Sequence, residues 1–300
     1  MPEKPNSRPE LAFLDAMQVV LGRLDFIPVG DGVVHRFHVP GDKPGTKNGC
    51  YGLFMDDIAS GWFGTWRHSE PGSWKTWSSR KPANKLEQVL IKQCIERAMR
   101  QREAMQLQRQ HAAAQHASQV WKSAKPANPR HPYLLAKGVD VHNLRQRGGQ
   151  LLVPMMADGQ LVNLQRIFVD DKGDFAKHFL LGGRVVGTYS PLGAITPGCR
   201  LYICEGWATG ATLFEHYGSP VAVAMNSGNL LAVGLALKAR YGDRVELVIA
   251  SDDDRVTAGK GKGNPGRKAA IAAATALNCG EISPAWPPGA PLSLTDFNDL

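Results

Sequence analysis

The sequence has no apolar run approaching the ~20 residues that a membrane-spanning helix needs, and its opening, MPEKPNSRPE, lacks the apolar core of a signal peptide. These absences point to a cytoplasmic chain with no membrane partner. Cysteine is scarce. The five residues, Cys50, Cys94, Cys199, Cys204 and Cys279, are odd in number, scattered, and form no C-x-x-C pair. That excludes a disulfide framework and a zinc ribbon, so no structural zinc is expected and a reducing compartment fits best. Acidic residues are outnumbered, 27 Asp and Glu against 35 Lys and Arg, which leaves a formal charge of +8 and a pI near 9.3. An excess of this sign favours a polyanionic partner, nucleic acid before an anionic membrane surface.

What is present is ample for a folded protein. Three hundred residues, 43% of them apolar, suffice for one large domain or two ordinary ones. Residues 1–82 begin with a short helical pattern (Leu11, Leu14, Met17, Val20, Leu21) and continue as strand-like pieces at 25–29, 33–39, 52–55 and 61–66, broken by Gly and Pro. They predict a small α+β domain. Residues 83–128 read as a helical linker. Leu86, Val89, Leu90, Cys94, Ile95, Ala98 and Met99 make one apolar stripe, and the Gln-, Arg- and Ala-rich stretch 100–120 reads as solvated helix. Lys125-Pro126-Ala127-Asn128-Pro129 stops it. Residues 129–198 predict short strands at 151–155, 161–168 and 177–181. From 199 to 300, continuous apolar runs at 201–204, 221–225 and 245–250 alternate with helical stretches at 208–217, 229–240 and 265–278. That alternation predicts an α/β domain with a parallel sheet flanked by helices.

In such a sheet, ligands bind beyond the carboxyl ends of the strands. Glu205 follows the first apolar run directly, and Asp252, Asp253 and Asp254 follow the third, while Asp296 and Asp299 lie at the C-terminus. If the first and third strands are neighbours, Glu205, Asp252 and Asp254 converge. Carboxylates gathered at one point repel and raise each other's pKa. A hard dication removes the conflict, and Mg²⁺ takes one or two carboxylates together with water and substrate phosphates, which suits phosphoryl transfer. A single carboxylate after a strand otherwise caps the next helix or sits in solvent.

The same residues carry a family resemblance. Ile203-Cys204-Glu205-Gly206 resembles the strand and Glu-Gly motif of the Toprim domain, and Asp252-Asp253-Asp254-Arg255 resembles its D-x-D motif. Gly266-Arg267-Lys268-Ala269-Ala270 is similar to the Gly-Arg-x-Ala-Ala helix start of bacterial primases. Asp296-Phe297-Asn298-Asp299-Leu300 resembles the ending of plasmid and phage primases, and His131-Pro132-Tyr133-Leu134 the region before their Toprim domain. The resemblance covers residues 130–300. Two departures stand out: Thr209 replaces an Asp that bacterial primases usually carry four residues after the Glu, and the 256–263 loop is long. That loop lacks the G-x-x-x-x-G-K-[ST] spacing of a P-loop and reads either as a surface linker or as a basic flap that meets phosphates.

The resemblance implies a DNA primase that joins ribonucleotides on a single-stranded DNA template in plasmid or phage replication. Glu205, Asp252 and Asp254 would hold Mg²⁺ (or Mn²⁺ in its place), with Asp296 completing the site. Lys177, Arg255, Arg267 and Lys268 would contact NTP phosphates. No helicase signature is present, so a replicative helicase would be a separate chain. Four of the seven tryptophans fall within 62–77, interleaved with cations. Trp62, Trp66, Arg67, Trp74 and Lys75, with Arg166 further on, are candidate single-strand contacts, because aromatic faces stack on unpaired bases. The same tryptophans serve equally as the core of a small sheet domain. A Toprim nuclease and a non-catalytic single-strand-binding accessory are the alternative readings.

Overall fold

The computed structural model describes residues 8–300 except 57, 66–73, 82–83 and 258–263, and leaves out the side chains at 91, 94, 98, 99, 101 and 102. The chain divides into two compact units, residues 1–107 and 108–300.

The first unit opens with α1 (Pro9–Leu21), its proline at the start of the helix where the missing amide costs nothing. Strands β1 (His35–Phe37), β2 (Gly49–Phe54), β3 (Ser60–Thr65) and β4 (Lys75–Ser78) form an antiparallel sheet in that order. α1 sets Phe13 and Met17 into a core with Phe37, Tyr51, Leu53 and Phe63. Phe13 meets Tyr51, Phe63 and Trp77 edge-on at 5.9, 5.6 and 5.3 Å. The strand expected at 25–29 does not form, since Pro28 has no amide to give a ladder. Phe26 instead stacks on Tyr51, whose hydroxyl accepts from the Val29 amide at 3.0 Å.

Helix α2 (Lys85–Ser123) reverses the expected burial. Leu86, Val89 and Leu90 of its predicted apolar stripe are exposed. Its second half, expected to be solvated, buries Ala113, Ala117 and Val120. Alanines hold no bulk between a helix and a sheet, so this half lies close on Leu152 and Leu164.

The second unit contains two sheets. β5 (Lys125–Pro126), α3 (Pro132–Lys137), β6 (Arg145–Arg147), β7 (Gln150–Ala157), β8 (Gln160–Val169) and β9 (Phe175–Phe179) supply an antiparallel sheet ordered β5-β6-β7-β8-β9. Its β7–β8 turn is Asp158-Gly159, both with positive φ, as a tight two-residue hairpin requires. The chain then runs through β10 (Ser190–Leu192), β11 (Arg200–Cys204), α4 (Trp207–Tyr217), β12 (Val221–Val223), α5 (Leu230–Tyr241), β13 (Glu246–Ala250), α6 (Arg255–Thr257), α7 (Pro265–Leu277) and β14 (Gly280–Ile282). The second sheet is ordered β10-β12-β11-β13-β14, parallel except for β10. Leu201 and Ile203 of β11 face α5 and α7, whereas Tyr202 and Cys204 share a core with α4 and with Leu151, Val153, Met155 and Ile167 of the antiparallel sheet. Burial on both faces is why these strands read as unbroken apolar runs.

One buried polar side chain ties the loop that enters β10 to the end of β12. Asn229, 3% exposed, aims its amide group at the carbonyls of Val185, Thr188 and Ala224 (3.1, 2.9 and 2.8 Å), and its oxygen accepts from the Gly187 amide at 2.8 Å. Truncation orphans these buried groups at ~1–3 kcal/mol each. The Asn229→Ala variant is accordingly expected to lose about 3 kcal/mol or more in urea unfolding, and a loss under 1 kcal/mol contradicts this role.

Candidate active site

β11 and β13 are adjacent and parallel, with Cys204 paired to Ala250. The next residues therefore leave the same end of the sheet, Glu205 from one strand and Ser251 and Asp252 from the other. They open on a cavity of about 360 Å³ lined by Glu205, Asp252, Asp254, Ser227, Asn264 and Thr295. The strands are neighbours, and their carboxylates face one space.

Asp252 carries the strain of that arrangement. Burial, then the charges of Glu205 and Asp296, push its pKa up to about 7, against the pull of Lys177. Its Oδ1 is buried without a hydrogen-bond partner. Burial also raises the Glu205 carboxyl, while the Ser227 backbone amide and Lys177 lower it. Lys177, on β9, retains exposed surface, yet the protein packed around its ammonium group and the like charge of Lys137 lower its pKa; Asp296, Asp252 and Glu205 pull it back. Its Nζ lies 5.8 Å from the centre of the Tyr133 ring, within cation–π range.

The C-terminal residues hold their place by their own hydrogen bonds. Asp296 accepts from the Asn298 amide at 2.8 Å, and Asp299 accepts from the Thr295 amide at 2.7 Å. Asn298 donates to the Lys137 carbonyl at 2.7 Å and to the Thr212 hydroxyl at 3.0 Å. With Phe297 buried, this fixes Asp296 close enough to act on Asp252.

The cations named for phosphate contact separate. Lys177 stands beside the carboxylates. Arg255 lies 4.6 Å over the Trp286 ring and donates to the Pro291 carbonyl. Arg267 pairs with Asp253 at 3.4 Å. Both arginines are engaged by protein groups, and Lys268 is exposed on α7. Lys177, named for phosphate contact, and Arg166, named for single-strand contact, lie on opposite faces of the antiparallel sheet. Lys177 pairs in register with Ile167, and Arg166 with His178. Alternate residues of a strand point to opposite faces, so Lys177 shares the Ile167 face toward the carboxylates and Arg166 takes the other.

Of the tryptophans, Trp62 takes the core reading. Trp62 is 0% exposed, lies over Gly52, where a Cβ would come within 2.9 Å of its Nε1, and meets Trp74 edge-on at 5.5 Å. A ring so enclosed is core, not a platform for a base. Trp74 is half-buried and Lys75 exposed, while Trp66 and Arg67 lie outside the described residues.

No three His, Cys, Asp or Glu side chains among the described residues gather closely enough to form a closed metal shell. Glu205, Asp252 and Asp254 instead line an open space, with Asp296 close enough to act on Asp252. The residues fit a dication that takes few protein ligands: a buried carboxylate oxygen has no partner, and burial together with its neighbours' charges raises its pKa to about 7. Sequence reasoning missed three contributors. Tyr133, 1% exposed under Lys177, sits in the quoted His-Pro-Tyr-Leu stretch. Ser227 acts through its backbone amide, which no side-chain pattern reveals. Trp286 lies in a proline-rich stretch without periodicity.

Residues 200–300 match the Toprim domain family. Over most of its length the chain is similar to proteins named DNA primases. It is 36% identical over 273 residues to DNA primase TraC of Escherichia coli, a match that takes 87% of this chain and 25% of that protein. A second Escherichia coli DNA primase TraC is 32% identical over 274 residues, taking 87% of this chain and 18% of that protein. The chain thus spans about a quarter or less of the length of the curated relatives it matches. The primase fragment of the bacteriophage T7 primase-helicase protein is 19% identical with a TM-score of 0.37, covering 55% of this chain and 71% of that one.

The raised Asp252 pKa sets a sign for stability. A carboxyl that ionises near pH 4 when unfolded and near 7 when folded leaves stability untouched below pH 4, weakens it progressively from 4 to 7, and weakens it fully above 7. Three units correspond to at most about 4 kcal/mol. In metal-free buffer Asp252→Asn is therefore expected to be more stable than the wild type at pH 8, by about 2–4 kcal/mol, with the gain shrinking toward zero near pH 4. A gain independent of pH in denaturant titrations contradicts the assignment.

Proposed function

We propose that this chain is a DNA primase, a Mg²⁺-dependent nucleotidyltransferase that makes short RNA primers on single-stranded DNA in plasmid or phage replication. The observation that carries the reading is Asp252, a buried carboxylate with one unpartnered oxygen, facing Glu205 across the ends of two parallel strands and opposed by Lys177. Relatives named as DNA primases support it. Glu205 and Asp252 would hold the dication directly or through water, with Asp254 and Asp296 as further ligands. When bound, the metal neutralises charge on the attacking and leaving oxygens of the transferred nucleotide.

The chain's own residues do the rest. The Ser227 amide orients the Glu205 carboxylate. Lys177, held over Tyr133, meets the triphosphate, so that charge and position act together as the primer 3′-hydroxyl attacks the α-phosphorus and pyrophosphate leaves. Template binding draws on exposed cations around β5 and β6, namely Lys122, Lys125, Arg130 and Arg147, with Arg145 stacked over Trp121 at 5.0 Å. Residues 104–139, which reach into this region, contain no Asp or Glu. Such a face follows a phosphate backbone. A replicative helicase on a separate chain is the partner this activity calls for.

The deciding assay incubates the protein with single-stranded DNA, labelled NTPs and Mg²⁺. The wild type is expected to make short labelled RNA. Asp252→Ala and Asp254→Ala should lower synthesis at least 100-fold, and Lys177→Ala should raise the NTP KM about tenfold. A shortened template without RNA moves the assignment to nuclease; intact template without RNA moves it to a binding accessory. Only ionised Asp252 accepts the metal, so Mg²⁺ affinity should fall about tenfold per unit below pH 7. Calorimetric titrations at pH 6, 7 and 8 check this, and a flat profile contradicts it.

A further inference from the structure

Asp253, the middle member of the Asp252-Asp253-Asp254 run, does not line the cavity that its two neighbours line. Its carboxylate collects three donors. Oδ1 accepts from Asn264 Nδ2 at 3.1 Å and Arg267 Nη1 at 3.4 Å, and Oδ2 accepts from Trp286 Nε1 at 3.0 Å. Its backbone is engaged too: the Asp253 amide donates to the Thr295 carbonyl at 2.6 Å, and its carbonyl accepts from the Arg255 amide at 2.8 Å. Arg255 then stacks on the indole that Asp253 holds. Asn264 in turn caps α7, accepting from the Arg267 amide at 3.0 Å. One side chain so joins the end of β13, the start of α7 and the segment carrying Trp286 and Thr295.

We propose that Asp253 is a positioning residue that sets the spread of Asp252 and Asp254 around the cavity and is not itself a ligand of the cation. Successive residues of extended chain point in opposite directions, so anchoring Asp253 outward turns its neighbours inward. A fourth carboxylate facing the cavity would add to the repulsion already acting on Asp252. Turned away, its charge is met by Arg267, and hydrogen bonds to an ionised acceptor are the stronger kind. The two arginines that sequence reasoning assigned to phosphate contact therefore have a second use, as parts of this clamp. The inference rests on the reading that the cavity takes a dication.

The test compares Asp253→Asn, Trp286→Phe and Asp252→Ala with the wild type in two measurements. Asparagine puts a donor where Asn264 and Arg267 also donate; phenylalanine removes the indole N–H yet keeps a ring under Arg255, so the fold is retained. In metal-free amide hydrogen exchange, both clamp variants should speed exchange of 251–256 and 284–296 about tenfold and leave β11 unchanged. In Mn²⁺ titrations, both should weaken affinity about 5- to 20-fold, whereas Asp252→Ala abolishes binding. Loss of Mn²⁺ binding in Asp253→Asn as complete as in Asp252→Ala would make Asp253 a ligand and overturn the proposal. So would unchanged exchange, or loosened exchange with Mn²⁺ affinity within twofold of the wild type. A wild type that binds no Mn²⁺ sinks the dication reading instead, and exchange alone then decides whether the clamp exists.

Discussion

The parallel pairing of β11 with β13 delivers Glu205 and Asp252 to the same end of one sheet, where burial and mutual repulsion act on them together. Two strands that were not adjacent would leave each carboxylate to solvent or to a helix cap. Adjacency gathers negative charge that the protein does not neutralise by itself. Lys177 is a cation whose charge reaches Glu205 and Asp252, and its own pKa is lowered by the protein packed around it and by Lys137. The rest of the second unit is arranged around this excess.

Three devices hold the excess in place. The antiparallel sheet shares a core with one face of the parallel sheet and carries Lys177 in on β9. The last five residues form a small capped turn that Asn298 ties to α3 and α4, bringing Asp296 to the site. Asn229 fixes the loop that enters β10 against the turn after β12, where the Ser227 amide meets Glu205. Each is a buried or half-buried polar contact within a core that apolar packing already defines. Polar contacts of this kind confer geometry more than stability, since their net contribution is ~1 kcal/mol each.

Charge repulsion also explains why neighbouring acidic residues have different roles. Asp252 and Asp254 line the cavity, whereas Asp253 turns to Arg267, Asn264 and Trp286. The tryptophans of the first unit show a parallel division. Trp62 sits over a glycine and fills the core, while Trp74 packs against its edge and keeps part of its surface. In both runs a repeated residue type suggested one shared function, and the surroundings of each side chain divided it.

The sequence by itself determined the α/β alternation, the strands ending at Cys204 and Ala250, and the helices after them, because burial on both faces writes unbroken apolar runs into the chain. It also determined which carboxylates follow those strands. The short edge strands β10 and β14 left no such signature, since three residues have no period. The Gln- and Ala-rich half of α2 looked solvated because alanine is small, and small is what close packing on Leu152 and Leu164 required. Only the tertiary structure decided that β11 and β13 are neighbours, that Lys177 faces the carboxylates while Arg166 does not, and that Arg255 and Arg267 are bound to protein groups. Pairing, facing and partnership depend on contacts between residues far apart in the chain, and local pattern carries no record of them.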